Sequence, residues 1–141
     1  MITPHIELLD LYDQVDRYAV TWQLLVERED WVNTTHRQMP TRQQHEAFVD
    51  SKPYLEWWMI LVFPGLRPAG TINLSRQNEI GIFILRAFRR QGIGPEAVKR
   101  MINMHPHTRL LANINPHNII SIQMFEELGF KHIQNTYELR R

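Results

Sequence analysis

The residues best suited to chemistry form a run, Arg89-Arg90-Gln91-Gly92-Ile93-Gly94. It lies between a strand-like stretch, Glu79-Ile80-Gly81-Ile82-Phe83-Ile84, and a helical one. Glycines at 92 and 94 remove side chains where a ligand would approach the main chain. The unpaired N–H groups of the helical turn that follows converge on one spot. The helix dipole adds positive potential there, so an anion such as a pyrophosphate is favoured. That dipole contributes only roughly 0.3–1 kcal/mol, so several N–H bonds are needed to hold a phosphate group. A plain helix start with convenient glycines reads the same way. The dinucleotide fingerprint needs a third glycine where Ala97 stands, and no Gly-Lys-Ser/Thr follows as a P-loop requires. His105 and His107 straddle Pro106 without a third ligand, a pattern of solvated loop side chains rather than of a metal site.

The elements that must position this run can be followed along the chain. His5 to Leu11 reads as a first strand. From Tyr12 to Glu29, Val15, Ala19, Trp22, Leu25 and Val26 recur at helical spacing. Trp31 to Pro40 is polar and irregular. Thr41 with Gln44 suits a capping box, opening a second helix with Ala47 and Phe48 as apolar positions and a stop near Pro53. Leu55 to Phe63, Pro68 to Ser75 and Asn78 to Leu85 then form a three-stranded antiparallel meander. Trp57 and Trp58 are neighbours on a strand and must face opposite sides of the sheet, one in the core and one under a helix or along a groove. A helix from Pro95 to Met104 follows, with Pro95 in its first turn and Met101 and Met104 as core filler. Arg109 to Ile114 reads as a buried strand. Asn118 caps a helix with Ile119, Ile122, Phe125 and Leu128 on its apolar face and Gly129 at its end. Phe130 to Leu139 reads as a final strand or a tight pair of strands. The order β-α-α-β-β-β-α-β-α-β makes an α/β (α+β) fold with a mixed, mostly antiparallel sheet in one domain, 1–141.

Composition narrows the partners. Sixteen Lys and Arg face fifteen Asp and Glu, a formal charge of +1, without the clustered basic excess that drives binding to nucleic acid. Cysteine is absent, which excludes disulfides and Cys-based zinc sites and fits a reducing compartment. The start, Met1 to His5, lacks the basic and apolar regions of a signal peptide, and the apolar run Trp57 to Phe63 is too short to span a bilayer. A soluble cytoplasmic protein is expected.

Downstream stands Asn118-Ile119-Ile120-Ser121-Ile122-Gln123-Met124-Phe125-Glu126-Glu127-Leu128-Gly129-Phe130. Together with Arg89 to Gly94 it resembles the GNAT superfamily of acetyl-CoA-dependent N-acetyltransferases. The two signatures of that family, Gln/Arg-x-x-Gly-x-Gly/Ala and Asn-x-x-Ser/Ala with an aromatic residue and Leu-Gly-Phe, occur in order over residues 78–130. Glu29 to Phe48, with His45, resembles more softly the branch of ribosomal-protein and nucleotide-amino-sugar acetyltransferases. The resemblance implies a V-shaped splay between the fourth and fifth strands, flanked by helices, into which acetyl-CoA enters. It assigns the pantetheine arm to the backbones of Ile82, Phe83 and Ile84, as an added strand. It assigns the pyrophosphate to Arg89, Arg90, Gln91, Gly92, Ile93 and Gly94, and the opposite wall to Asn118, Ser121 and Phe125. Asn118 can cap its helix as well.

Acetyl transfer needs a deprotonated amine, a polarised thioester carbonyl and a route for the leaving thiolate. Many family members protonate the thiolate with a Tyr on the last helix, and Phe125 stands at that position. Either the thiol leaves unaided, or Tyr137 on the closing strand supplies a hydroxyl. Glu79, at the start of the fourth strand, is the resemblance's candidate base. An ordinary carboxylate is a weak base at neutral pH, so it needs burial or an ordered water. His45 and His117 are alternatives with better intrinsic pKa. The acceptor expected is a primary amine of a small molecule such as a nucleotide-linked amino sugar, since Arg28, Arg37 and Arg42 fall in the acceptor-facing region. The competing readings are a protein N-terminal or lysine acetyltransferase, and a catalytically idle CoA-binding module. An exposed sheet edge after Phe130 implies a homodimer.

Overall fold

The computed structural model describes residues 3–28 and 38–141. Arg37, Glu29 and most of the irregular stretch after Trp31 lie outside the described residues. Four strands, β1 (Ile6–Asp10), β2 (Glu56–Val62), β3 (Arg67–Leu74) and β4 (Ile80–Ile84), form one antiparallel sheet in the order β1-β2-β3-β4. The meander is therefore present, with Trp58 opposite Ile72 and Ile72 opposite Ile82.

Helices α1 (Arg17–Val26) and α2 (Arg42–Asp50) pack over one sheet face, and α3 (Ile93–Met104) and α4 (Ile119–Glu127) over the other. β2 is central and covered on both sides, so it is apolar at every position from Trp57 to Val62 rather than alternating. Trp57, Met59 and Leu61 join the core with Val20 and Val49. Ile60 and Val62 join Ile93, Ala97, Val98, Met101 and Phe125, with Trp58 packed at the margin. The two tryptophans do face opposite sides.

Several boundaries and faces differ from expectation. α1 starts at Arg17 after a 3-10 turn at Leu11–Asp13, and it turns Val20, Thr21 and Leu24 inward. Val15 is 97% exposed and Val26 55%. This short helix carries apolar residues around most of its girth, so spacing alone does not select the buried stripe. α2 buries His45 and Val49, four residues apart, and leaves Ala47 and Phe48 outward. α3 starts two residues early, at Ile93, and Met101 is core whereas Met104 is exposed.

The two strands expected last are not formed. Arg109 to Ile114 makes a single parallel bridge, Glu79 to Leu111. Leu110, Ala112 and Ile114 pack onto the α3–α4 core, which draws the segment away from the sheet. Residues 131–141 are exposed and irregular.

Candidate functional site

β4 pairs on one edge and opens on the other. Ser75 N donates to Glu79 O at 2.9 Å and Leu85 N to Ala69 O at 2.8 Å. Antiparallel ladders alternate, so the main chains of Glu79, Gly81, Phe83 and Leu85 face β3 while those of Ile80, Ile82 and Ile84 face away. On the outer edge Ile80 N donates to Leu111 O at 2.7 Å and Leu111 N to Asn78 O at 2.9 Å. No further rung forms among the described residues. Beyond it the two segments diverge, leaving the N–H and C=O of Ile82 and the N–H of Ile84 facing the gap. The Ile84 carbonyl accepts from Arg89 Nε at 3.2 Å. Phe83, opposite Thr71, directs its main chain to β3 instead. Such an unpaired edge can accept an extended ligand as an extra strand.

β4 runs into a short 3-10 turn, Arg86–Phe88, and then the N-terminus of α3. Gly92 caps that helix with φ at 77°, a left-handed conformation that costs an L-residue roughly 1–2 kcal/mol. The first intrahelical bond is Glu96 N to Gly92 O at 3.3 Å. The N–H groups of Ile93 and Gly94 are therefore available, while Pro95 has none to give. Gly94 has a different duty. A Cβ there would stand 3.4 Å from Met124 Sδ and 3.9 Å from Ile84 Cγ1, so its absence seats α3 against α4 and β4. Arg89, Arg90 and Gln91 are exposed around the turn.

The opposite wall starts at α4. Asn118 Oδ1 accepts from Ser121 N at 3.2 Å, so it is the helix cap, and its Nδ2 stays free to donate elsewhere. Phe125 is 3% exposed and meets Phe130 edge to face at 5.0 Å between centroids. It is a core residue. Tyr137 is 87% exposed on the irregular tail, so the structure does not bring it to the site, nor is the segment that carries it a strand.

Glu79 stands where β4 and the Leu111 segment begin to part. Its half-buried carboxylate accepts from Ser75 Oγ at 3.3 Å and, through the other oxygen, from Asn113 Nδ2. Ser75 Oγ also accepts from the Glu79 N–H at 3.0 Å, which locks the residue in place. Neither Ser75 nor Asn113 carried a signal in the sequence, because the Asn113 contact spans 34 residues and arises only from the bridge.

The other histidines lie elsewhere. His45 is 4% exposed between α1 and α2, with Nε2 2.7 Å from Thr21 Oγ1 and Trp22 edge to face at 5.6 Å. Burial holds its pKa below the ordinary 6.5, and Arg42 pushes the same way. His105 pairs with Glu56 at 2.9 Å. His107 and His117 are exposed. The Arg42 guanidinium lies over the Trp22 ring, 4.7 Å from its centroid. Among the described residues no group of three or more His, Cys, Asp or Glu could hold a metal ion, and no helix is long and apolar enough to cross a membrane.

Residues 7–131 match the Acetyltransferase (GNAT) domain family. No curated protein matches the chain. Among solved structures, a domain from Methanocaldococcus jannaschii DSM 2661 is 24% identical with a TM-score of 0.76, covering 96% of this chain and 94% of its own. The ribosomal-protein-alanine N-acetyltransferase from Brucella melitensis is 13% identical with a TM-score of 0.67, over 92% and 86%. The yncA protein from Salmonella typhimurium, solved with its cofactor acetyl-CoA, is 13% identical with a TM-score of 0.64, over 92% and 80%. At these identities the likeness establishes the fold.

Proposed function

The chain belongs to the GNAT acetyltransferase family, and from that premise we propose that it transfers the acetyl group of acetyl-CoA to a primary amine of a small molecule such as a nucleotide-linked amino sugar. The observation that carries the reading is the open edge of β4, with the N-terminus of α3 at the far end of the same strand. Acetyl-CoA supplies the acetyl group as a thioester on an extended amide-bearing arm with a pyrophosphate behind it. Ile82 and Ile84 hold the arm through their outward main-chain groups. Ile93 and Gly94 present N–H groups to the pyrophosphate, and Arg89 and Arg90 add charge. Asn118 Nδ2 and Ser121 border the other wall.

An outward N–H of β4 is suited to polarise the thioester carbonyl. Glu79, held by Ser75 and Asn113, takes the amine proton directly or through one water, as the new N–C bond forms and the C–S bond breaks. No hydroxyl is required at Phe125, because a thiol with a pKa of about 8.5 can depart as the thiolate. The choice of an anionic small acceptor rests on Arg28 and on Arg42, which lie on the α1–α2 side.

Calorimetric titration with acetyl-CoA tests the reading, beside the double variant Gly92→Glu, Gly94→Glu and followed by thiol release on a panel of amines. Wild-type binding, lost by roughly 100-fold or more in the variant, and fastest release with amino-sugar nucleotides are expected. Absence of binding by both folded proteins ends the reading. Binding without release on any amine points to an idle module, and preference for peptides to a protein acetyltransferase.

A further inference from the structure

The sheet face beneath α1 and α2 changes character from one side to the other. Over β1 and β2 it is apolar, with Leu11, Trp57, Met59 and Leu61 packed on Val20 and Val49. Over β3 it is polar. Thr71 is 1% exposed and Asn73 3%, and neither side chain has a hydrogen-bond partner among the described residues. A buried carboxamide is expected to be paired, so one without a partner calls for an explanation. The single described side-chain N or O that is sealed from solvent without a partner is Nε1 of Trp57. The Asn73 carboxamide, equally without one, therefore opens onto solvent at its tip.

Gly81 makes room for it. A Cβ on Gly81 would stand 2.7 Å from Asn73 Oδ1 and 2.8 Å from Nδ2, so the carboxamide lies over the glycine across the strand pair. The rung before Asn73–Gly81 on this face is Ser75–Glu79. Side chains two apart on a strand share a face, which places Asn73 about 7 Å along the strand from the Ser75 that holds the Glu79 carboxylate. An unpaired carboxamide and a fixed carboxylate thus stand in one row, next to the splayed edge of β4.

A carboxamide offers an acceptor and two donors side by side. Resting on the acetyl-transfer reading, we infer that Asn73 selects the acceptor. Oδ1 accepts an N–H of the attacking amine, and Nδ2 donates to an oxygen on the neighbouring carbon. The substrate class is a primary amine with an adjacent hydroxyl or carbonyl, as in an amino sugar, an amino alcohol or an α-amino amide.

The probes are ethanolamine, alaninamide and propylamine, the last lacking the oxygen, each titrated into 15N-labelled protein saturated with CoA. The Asn73 side-chain amide signal, assigned by its loss in Asn73→Leu, should move most with the first two and less with propylamine, which keeps the contact to Oδ1 but has no oxygen for Nδ2 to donate to. In turnover, Asn73→Leu should raise KM for ethanolamine and alaninamide by about tenfold or more, toward that of propylamine, and leave acetyl-CoA affinity within about twofold. Gly81→Ala displaces the carboxamide without deleting it and should give the same selectivity loss, which covers the case where Asn73→Leu does not fold. An unmoved Asn73 signal with all three amines, or unchanged KM ratios in the folded variants, overturns the inference. A signal that moves in a wild-type protein that acetylates nothing instead removes the acetyl-transfer reading and leaves the recognition standing.

Discussion

His45 sets the pH response of the α1–α2 layer. Its ring is buried against Thr21 and Trp22, and burial, with Arg42 adding to it, lowers the pKa below 6.5, against the pull of the Tyr18 carbonyl. The folded protein therefore prefers the neutral imidazole, and below about pH 6.5 the unfolded chain binds more protons. Stability from this group is complete above that pH and is lost as the pH falls toward the depressed folded value. The melting temperature should hold level from pH 8 to 7 and decline from pH 6.5 to 5. His45→Gln should have a lower plateau and a shallower decline. Equal declines in both proteins, followed by circular dichroism, would assign the effect to other groups. His45 was a sequence candidate for the base, yet no contact joins it to Glu79. Which of two plausible bases meets the slot depends on strand pairing across the fold, which neither side chain encodes locally.

Elements whose signals are local formed as read. Thr41 Oγ1 accepts from Gln44 N at 3.1 Å, and Gln44 Oε1 accepts from Thr41 N at 2.9 Å, the capping box expected from those two residues. Thr41→Ala should cost about 1 kcal/mol in urea unfolding with an unchanged m-value, and should leave acetyl-CoA affinity alone. A loss of affinity would mean that α2 shapes the cofactor slot directly. The buried faces of α1 and α2 were less legible, because Thr21 and His45 are buried as a mutually bonded polar pair that hydrophobic spacing cannot detect. Gly70 shows a further demand that spacing hides. A Cβ there would lie 2.0 Å from Phe83 O, so β3 approaches β4 too closely for any side chain at that point.

At the scale of the molecule, the sheet between two helical layers holds β4 firmly on one edge and frees the other, so a ligand completing that edge should stabilise the whole. Acetyl-CoA at 100 times its Kd should add about 2.7 kcal/mol, or about 8 °C in melting temperature for a chain of this size. The Gly92→Glu, Gly94→Glu variant should show no such rise in differential scanning calorimetry. A rise of equal size in the variant would place the ligand elsewhere.

Features written in short windows were legible in the residues alone: the three-stranded meander, whose first strand stops before Pro64 and Gly65, the helix cap at Asn118, and the family signatures across residues 78–130. Each depends on backbone sterics or on hydrogen bonds between near neighbours, so each is legible wherever the residues stand. Packing between distant elements set the rest. Arg109 to Ile114 has strand-like residues but left the sheet after one bridge, because its apolar side chains pack on α3 and α4. The fixing of Glu79 by Asn113 and the placing of Asn73 over Gly81 follow from that bridge and from the β3–β4 register. These contacts join residues far apart in the chain, and their partners are set by how whole elements pack.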